Sequence, residues 1–260
     1  MYVAPTASDV SRCCSDSRSA QPLRPLSCRP GSGLVLLVAG IVAGIVAAPL
    51  AAIASPPVPR VVEVPSRPAF IRPPGGSEQP AGPGQVLAAR TLLRTQKPGR
   101  LQVQLADGRS FRLGGDAVAR LAASGVDLEG GQIIAWVNPG SKRLGPPLKI
   151  RTRVATASIV GTTVFIDATP ETLKVFSWEG QVSVATETGQ RFELQSGQQA
   201  EFQQGAWLPP RRLSLEEATA RRRQSILLNG FTTPMETLPV LERELGLSPT
   251  PAATAAPLSR

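Results

Sequence analysis

Four short runs dominate the middle of the chain: "LKIRTRV", "ASIVGTTVFID", "LKVFSWEGQVSVAT" and "RFELQSGQQAEFQ", between positions 148 and 203. Each alternates apolar and polar residues. Glu179-Gly180, Thr188-Gly189 and Ser196-Gly197 punctuate them, and turn signals roughly every eight to twelve residues define an all-β sandwich, barrel or short solenoid. The spacing is too ragged for a true repeat. Upstream, "GRLQVQLADGRSFRLGG" sets Leu101, Val103 and Leu105 against Phe111 and Leu113 across Asp107-Gly108. That pattern predicts a hairpin with a type I′ turn. "DAVARLAAS", 116–124, is expected to form a short helix, with an irregular strand as the alternative. "GQIIAWVNPG" is expected to be a strand closed by Asn138-Pro139-Gly140, and "KRLGPP" a turn-rich loop.

The glycine of the second run raises a separate question. Gly161-Thr162-Thr163 sits within strand-like sequence, where glycine costs about 0.5–1 kcal/mol. Either a ligand or a backbone conformation must require it. A bend or bulge between strands is the expectation.

The flanks differ in character. Residues 55–84 contain nine prolines, which are expected to exclude helix and sheet and make this stretch a Pro-rich linker. The Pro/Ala-rich end, 248–260, is expected to be disordered. After Trp207-Leu208-Pro209-Pro210 the pattern turns helical. Ser214-Leu215-Glu216-Glu217 forms a capping box, Asn229-Gly230 is a stop, and a second short helix is expected from Thr237 to Gly246 with Pro239 in its first turn. Arg221, Arg222 and Arg223 are expected on a solvated face near the helix C-terminus.

Upstream of the linker, residues 1–33 are polar, and 33–54 hold no charge. Twenty-two apolar residues reach about 33 Å as a helix, enough to span a bilayer. Ala52-Ile53-Ala54 before Ser55 fits signal-peptidase cleavage between Ala54 and Ser55; an uncleaved anchor is the other reading. Both carry residues 55–260 across the membrane. Cys13, Cys14 and Cys28 all precede the apolar run, so the exported part holds no thiol.

What the composition excludes is as informative as what it contains. The chain has no His, so Ser-His-Asp and Cys-His catalysis are impossible. No zinc-ligand spacing, P-loop, dinucleotide fingerprint or calcium loop occurs, and no cofactor or metal is expected. Ser141-Lys142 lacks a catalytic frame. Asp167 and Glu179 are the one conceivable carboxylate pair, if they face each other across a hairpin. A net charge of +9 comes without aromatic stacking sets or a nucleic-acid motif, so nucleic acid is not an expected partner.

Three blocks together carry a resemblance. "TRVATASIVGTTVFID" leads through a Thr/Ala-rich strand to a Gly-Thr step and an aromatic; "VFSWEGQVSV" holds a Glu-Gly hairpin between valines; "LQSGQQAEF" holds a Gly-Gln turn. In order and spacing they resemble the FecR domain, best over 149–205, with the hairpin at 100–113 extending the likeness upstream. The signature positions are Gly161, Thr162, Phe165, Glu179, Gly180, Gly197 and Gln198, read as turn and packing residues. Two departures stand out: Val160 where the family often has Arg, and Trp178 where a small aliphatic is usual. Regulators of this family resemble a cytoplasmic anti-sigma region, one membrane helix, then the FecR domain and a receptor-contacting domain. The 33-residue head is short for clasping a sigma factor, and the helical segment after the strands is short for a receptor-contacting module.

The resulting expectation is a mostly β chain: a polar head (1–33), a signal or anchor (34–54), a linker (55–84), a compact all-β FecR-type domain (85–208), a helical segment (209–247) and a tail (248–260). Functionally, it is expected to be an exported, non-catalytic interaction module that binds another protein or an envelope polymer and meets the membrane through 33–54 if uncleaved. The alternatives are a regulator of an extracytoplasmic-function sigma system whose cytoplasmic half is a separate protein, and a carboxylate-based enzyme.

Overall fold

The structure, a computed structural model, describes residues 57–138 and 146–248. The polar head, the apolar run, the Ala54-Ser55 junction, Ser141-Lys142 with most of its loop, and the tail after Ser248 lie outside the described residues. No helix among the described residues is long and apolar enough to cross a membrane.

Among the described residues, fifteen strands form one continuous branched sheet. The first five are β1 (Arg60–Ser66), β2 (Ala69–Arg72), β3 (Gln79–Pro80), β4 (Leu92–Thr95) and β5 (Arg100–Gln104). Then come two long strands, β6 (Ser110–Ala122) and β7 (Gly125–Trp136). One arm continues through β8 (Leu148–Arg151), β9 (Ala155–Ile159), β12 (Val182–Thr186) and β13 (Arg191–Leu194). The other is built from β10 (Thr163–Ala168), β11 (Leu173–Glu179), β14 (Gln198–Gln203) and β15 (Ala206–Arg212). Three helices follow: α1 (Leu215–Gln224), α2 (Ile226–Asn229) and α3 (Leu238–Glu244).

The branch point is the β6–β7 hairpin. The first residues of β7, Gly125 to Asp127, pair in parallel with β8, whereas Gly131 to Trp136 pair antiparallel with β10. β6 divides its partners in the same way, giving Leu101↔Leu113 to β5 and Leu92↔Arg120 to β4. A kink makes this possible. The register shifts between Gly114 and Val118, with Gly115 at φ 66° and Asp116 at φ 60°, and Gly131 lies opposite at φ 83°. A Cβ on Gly131 would stand 2.3 Å from Ala117 Cα, so only glycine fits where the two bent strands cross. The expected helix at 116–124 is therefore strand. Its apolar residues Ala117, Ala119 and Leu121 alternate into the core at period two.

The hairpin at Asp107-Gly108 forms, with a different turn. Gly108 is at φ 84°, and Asp107 is not among the residues of positive φ. Leu105 N–H donates to Arg109 O (2.7 Å) and Gly108 N–H to Leu105 O (3.0 Å), which encloses three residues in place of the two of a type I′ turn.

A larger correction concerns 55–84, which carries β1, β2 and β3 and is not a spacer. Its prolines stand where a missing N–H is tolerated. Pro65 lies in β1 beyond Arg60 and Val61, the part of the strand that meets 84–87 on the side away from β5; Pro80 ends the two-residue β3, and Pro73-Pro74 make a turn. Val61, Ala69, Ile71 and Ala81 from this stretch are buried in the main core. At the other end, β15 runs through Pro209-Pro210 to Arg212, on an edge, so the sheet ends a few residues later than expected.

Alternation sorts the two faces. Ile133, Ala135, Val164, Ile166 and Val175 join the core shared by both arms, while Ile134, Trp136, Phe176 and Trp178 point the other way, under the helices. On the helical side, the Ser214/Glu217 capping box forms. Ser225 is extended (φ −69°, ψ 108°) and breaks the anticipated single helix into α1 and α2, which it caps by accepting from Leu228 N–H.

Ile71→Ala is expected to lower stability by about 2–4 kcal/mol in a urea titration, the cost of a core cavity. A linker residue would shift it by less than about 0.5 kcal/mol.

Candidate functional site

The face of the sheet that carries Trp136, Phe176 and Trp178 is where the unusual residues gather. Phe176 and Trp178 meet edge to face at 4.8 Å, a geometry favoured by ring quadrupoles. Leu213, Ala218, Leu227, Leu228, Met235, Leu241 and Leu247 of the C-terminal segment close over them.

Arg112 holds this cover down. It projects from β6 on the side opposite Phe111 and Leu113, and is 1 % exposed. Its guanidinium donates to Gln102 Oε1 (2.8 Å), Leu227 O (2.8 Å) and Thr233 O (2.7 Å). It also lies 4.3 Å from the Phe231 ring centre and 5.2 Å from that of Trp136. Burial pulls its pKa down to about 10, against the opposing charges of Glu63 and Glu236, so it remains a cation at neutral pH. Those two carboxylates hold the same segment. Glu63, from β1, accepts from Thr232 N–H (2.8 Å) and Thr233 N–H (2.7 Å), and Glu236 accepts from Trp136 Nε1 (3.0 Å).

The three basic residues of α1 do not share a solvated face. Arg222 is 4 % exposed and paired to Glu242 of α3 through Nε (2.9 Å). Arg221 stacks on Phe176 at 4.6 Å, and Arg223 is exposed. Arg222 is, with Ala218, one of the two buried residues of the helix, and Arg221 lies beside them on the half-covered side.

The signature turns converge at one end of this face. Gly161 (φ 73°) and Thr162 link β9 to β10; Glu179 and Gly180 (φ 73°) lie at the β11 to β12 turn; Gly197 (φ 77°) and Gln198 open β14. A Cβ on Gly180 would stand 2.6 Å from Thr162 Cγ2, so the left-handed glycine also allows a close approach. Gly180 N–H donates to Ser196 Oγ (2.8 Å) and to Glu244 Oε2 of α3 (3.2 Å), and Ser196 Oγ also donates to Glu244. Gly197 N–H donates to Ser177 O (2.8 Å), and Gln198 Oε1 accepts from Gln195 N–H (2.8 Å). Phe165 is not part of this cluster. It lies across from Phe176 on the helix-covered face.

Glu179 is 5 % exposed. Thr163 Oγ1 lies 2.9 Å from Glu179 Oε1 and 2.9 Å from Thr237 Oγ1; with one proton, it donates to the carboxylate and accepts from Thr237. Burial pushes the Glu179 pKa up, the Thr163 hydrogen bond opposes this, and the charge of Glu244 adds to the rise. The proposed pairing with Asp167 does not exist. Glu179 is opposite Thr163 and Asp167 is opposite Lys174, about 13 Å apart along the strand at 3.3 Å per residue. The hydrophobic pattern concealed Arg112 and Thr163, because an alternating strand's second face reads as solvent when a distant segment covers it, and Ser196 and Glu244, whose meeting depends on how α3 docks on the turns.

Between the sheet and helices α1 and α2 runs a groove of about 480 Å³, lined by Phe165, Asp167, Trp178 and Arg221 among others. Among the described residues no group of three or more potential ligands could hold a metal ion.

Residues 91–183, from the start of β4 into β12, match the family model described as FecR protein. The chain contains a FecR domain. The match includes the first signature block and all but the last residue of the second, and ends before the Gly197-Gln198 turn, so it lies further upstream than the 149–205 anticipated. Two crystal structures of a provisionally assigned anti-sigma factor from Parabacteroides distasonis are similar to the chain, each at 22% identity. The one at 2.50 Å covers 51% of this chain and 64% of that protein with a TM-score of 0.43; the one at 1.65 Å covers 56% and 71% with a TM-score of 0.41. The chain thus spans less than two thirds of the first of these. No curated protein sequence matches the chain.

Arg112→Met is expected to destabilise the protein by about 3 kcal/mol by leaving Leu227 O and Thr233 O unpaired, with faster hydrogen exchange across 226–237. The Glu179→Gln variant tests the buried acid. A folded-state pKa above the unfolded value adds stability below the unfolded pKa that is lost as pH rises through the folded pKa. Gln imitates the protonated acid. Relative to wild type, Glu179→Gln should therefore be more favourable at about pH 8 than at about pH 4 in paired urea titrations.

Proposed function

We propose that this chain is a FecR-type regulatory protein of the bacterial envelope that acts by binding another protein and performs no covalent chemistry. The observation that carries the reading is the FecR domain at 91–183. Its partner would be a component of an extracytoplasmic-function sigma system, with residues 57–248 on the outer side of the inner membrane and the apolar run 33–54 as signal or anchor. The lack of any His in the chain and the separation of Asp167 from Glu179 favour recognition over catalysis.

The geometry also bears on how a partner would attach. Strand addition at β15 is disfavoured, because Pro209 and Pro210 interrupt the run of N–H donors along that strand. The opposite end of the main strand order, β13, is only four residues long. Contact through the strand-linking turns and the helical cover fits better.

The test is transcript profiling after deletion and after overexpression of the gene. A single sigma-dependent gene set that changes in opposite directions is the expected result. If neither manipulation moved such a set, the regulator reading would fail and a structural binding module would remain.

A further inference from the structure

Two residues that line the groove between the sheet and α1 each carry a buried hydrogen-bond donor without a partner. Trp178 is 1 % exposed, and its buried Nε1 has no partner; the buried Nη1 of Arg221 has none either. Both residues line the groove. Buried donors are rarely left unpaired, since each lost hydrogen bond costs about 1–3 kcal/mol. Two in one cavity point to an acceptor that enters from outside.

The neighbouring acids are already engaged. Glu217 accepts from both Arg211 terminal nitrogens (3.0 and 2.9 Å) and from Ser214 N–H (2.8 Å). Glu201 is paired to Lys174 (3.3 Å) and accepts from Gln199 Nε2 (3.1 Å), and Asp167 accepts from Gln132 Nε2 (3.0 Å). Arg221 forms no ion pair with any of them and instead stacks on Phe176, which holds its planar fork in place. The remaining wall is apolar. Phe165, Leu213, Ile226 and Leu227 contribute to it, and Ile226 is 46 % exposed at its margin. At about 480 Å³ the space lies within the roughly 300–1,000 Å³ typical of small-ligand sites.

We propose that this groove binds a carboxylate carried on an apolar body, with Arg221 and Trp178 Nε1 donating to the carboxylate and Phe165, Leu213 and Ile226 receiving the apolar part. Arg221 supplies charge and a fork that matches two oxygens. The indole N–H supplies direction. Such a group is found on a free organic acid and at the C-terminus of a peptide. The site is independent of the sigma-system reading and would persist if that reading failed.

Isothermal titration of the full chain decides it, with four probes: N-acetyl-L-leucine, N-acetyl-L-leucinamide, and an octapeptide ending in leucine as free acid or as amide. At least one acid is expected to bind about ten-fold or more tighter than its amide, and Arg221→Gln should reduce that preference to less than about two-fold. Melting curves verify that the variant is folded. If it is not, Gln224→Glu, which adds a negative charge to the lining, should weaken acid binding and leave amide binding unchanged. Binding of both acids would identify a small acid as sufficient; binding of the peptide acid alone would identify a chain terminus. Acids and amides that bind alike, or no saturable binding by any probe, would overturn the proposal and assign the two donors to water.

Discussion

Two bends in adjacent strands organise this molecule. β6 and β7 are each long enough to cross a domain, and both deviate where Gly115, Asp116 and Gly131 take positive φ. Because Gly131 lies against the Ala117 backbone, the bends in the two strands coincide. A straight β7 would offer one edge to one neighbour. The bent strand instead offers its first residues to β8 and its last six to β10, and from these two pairings come both arms of the sheet. The inner faces of the arms then share one apolar core, which releases the outer face of β7, β10 and β11 for the helices.

That outer face is held by polar groups as much as by apolar ones. Arg112 and Glu63 reach the cover from β6 and β1, Trp136 from β7, and the signature turns meet α3 through Ser196, Gly180 and Glu244. Each buried charge is costly unless fully hydrogen-bonded. Arg112 offsets that cost with three hydrogen bonds, two of them to backbone carbonyls of the C-terminal segment, which makes the position of that segment specific. An apolar residue there would give comparable burial without choosing which carbonyls to meet. The FecR domain and the helical segment after it are therefore one structural unit, joined by residues separated by more than a hundred positions in sequence.

The same arrangement bears on activity. The acids of the described face are engaged with arginine, lysine, amide, indole, backbone or hydroxyl partners, and the chain has no imidazole, so proton transfer lacks the usual residue for neutral pH. What the surface does offer is shape: turns fixed by glycine, a helical cover, and a groove whose walls hold two buried, unpartnered donors. These fit the proposed binding role.

Local sequence was sufficient wherever the deciding interaction is short-range. The Asp107-Gly108 hairpin, the capping box at Ser214 and the strands on either side of Gly161 and Gly180 could be read directly, because turn chemistry and period-two alternation act within a few residues. The turn type at Gly108 could not, since the two candidate loops share one sequence and differ in register. The stretch 116–124 was ambiguous because alanine suits a helix as well as a buried strand, and only pairing with β4 and β7 made it strand. Residues 55–84 were misread because proline density forbids a central strand but permits an edge strand, and edges exist only once β5 is in place. Arg112 falls on the polar side of its strand pattern and Arg222 on a helix read as solvated, since local periodicity marks one face of an element as buried and is silent about a second face covered later by a distant segment. The sequence by itself thus determined that the chain is mostly β, where many of its turns lie and which catalytic schemes are closed to it. Only the tertiary structure decided which charges are buried and where a ligand could enter, because burial depends on what packs against a residue and not on the residue alone.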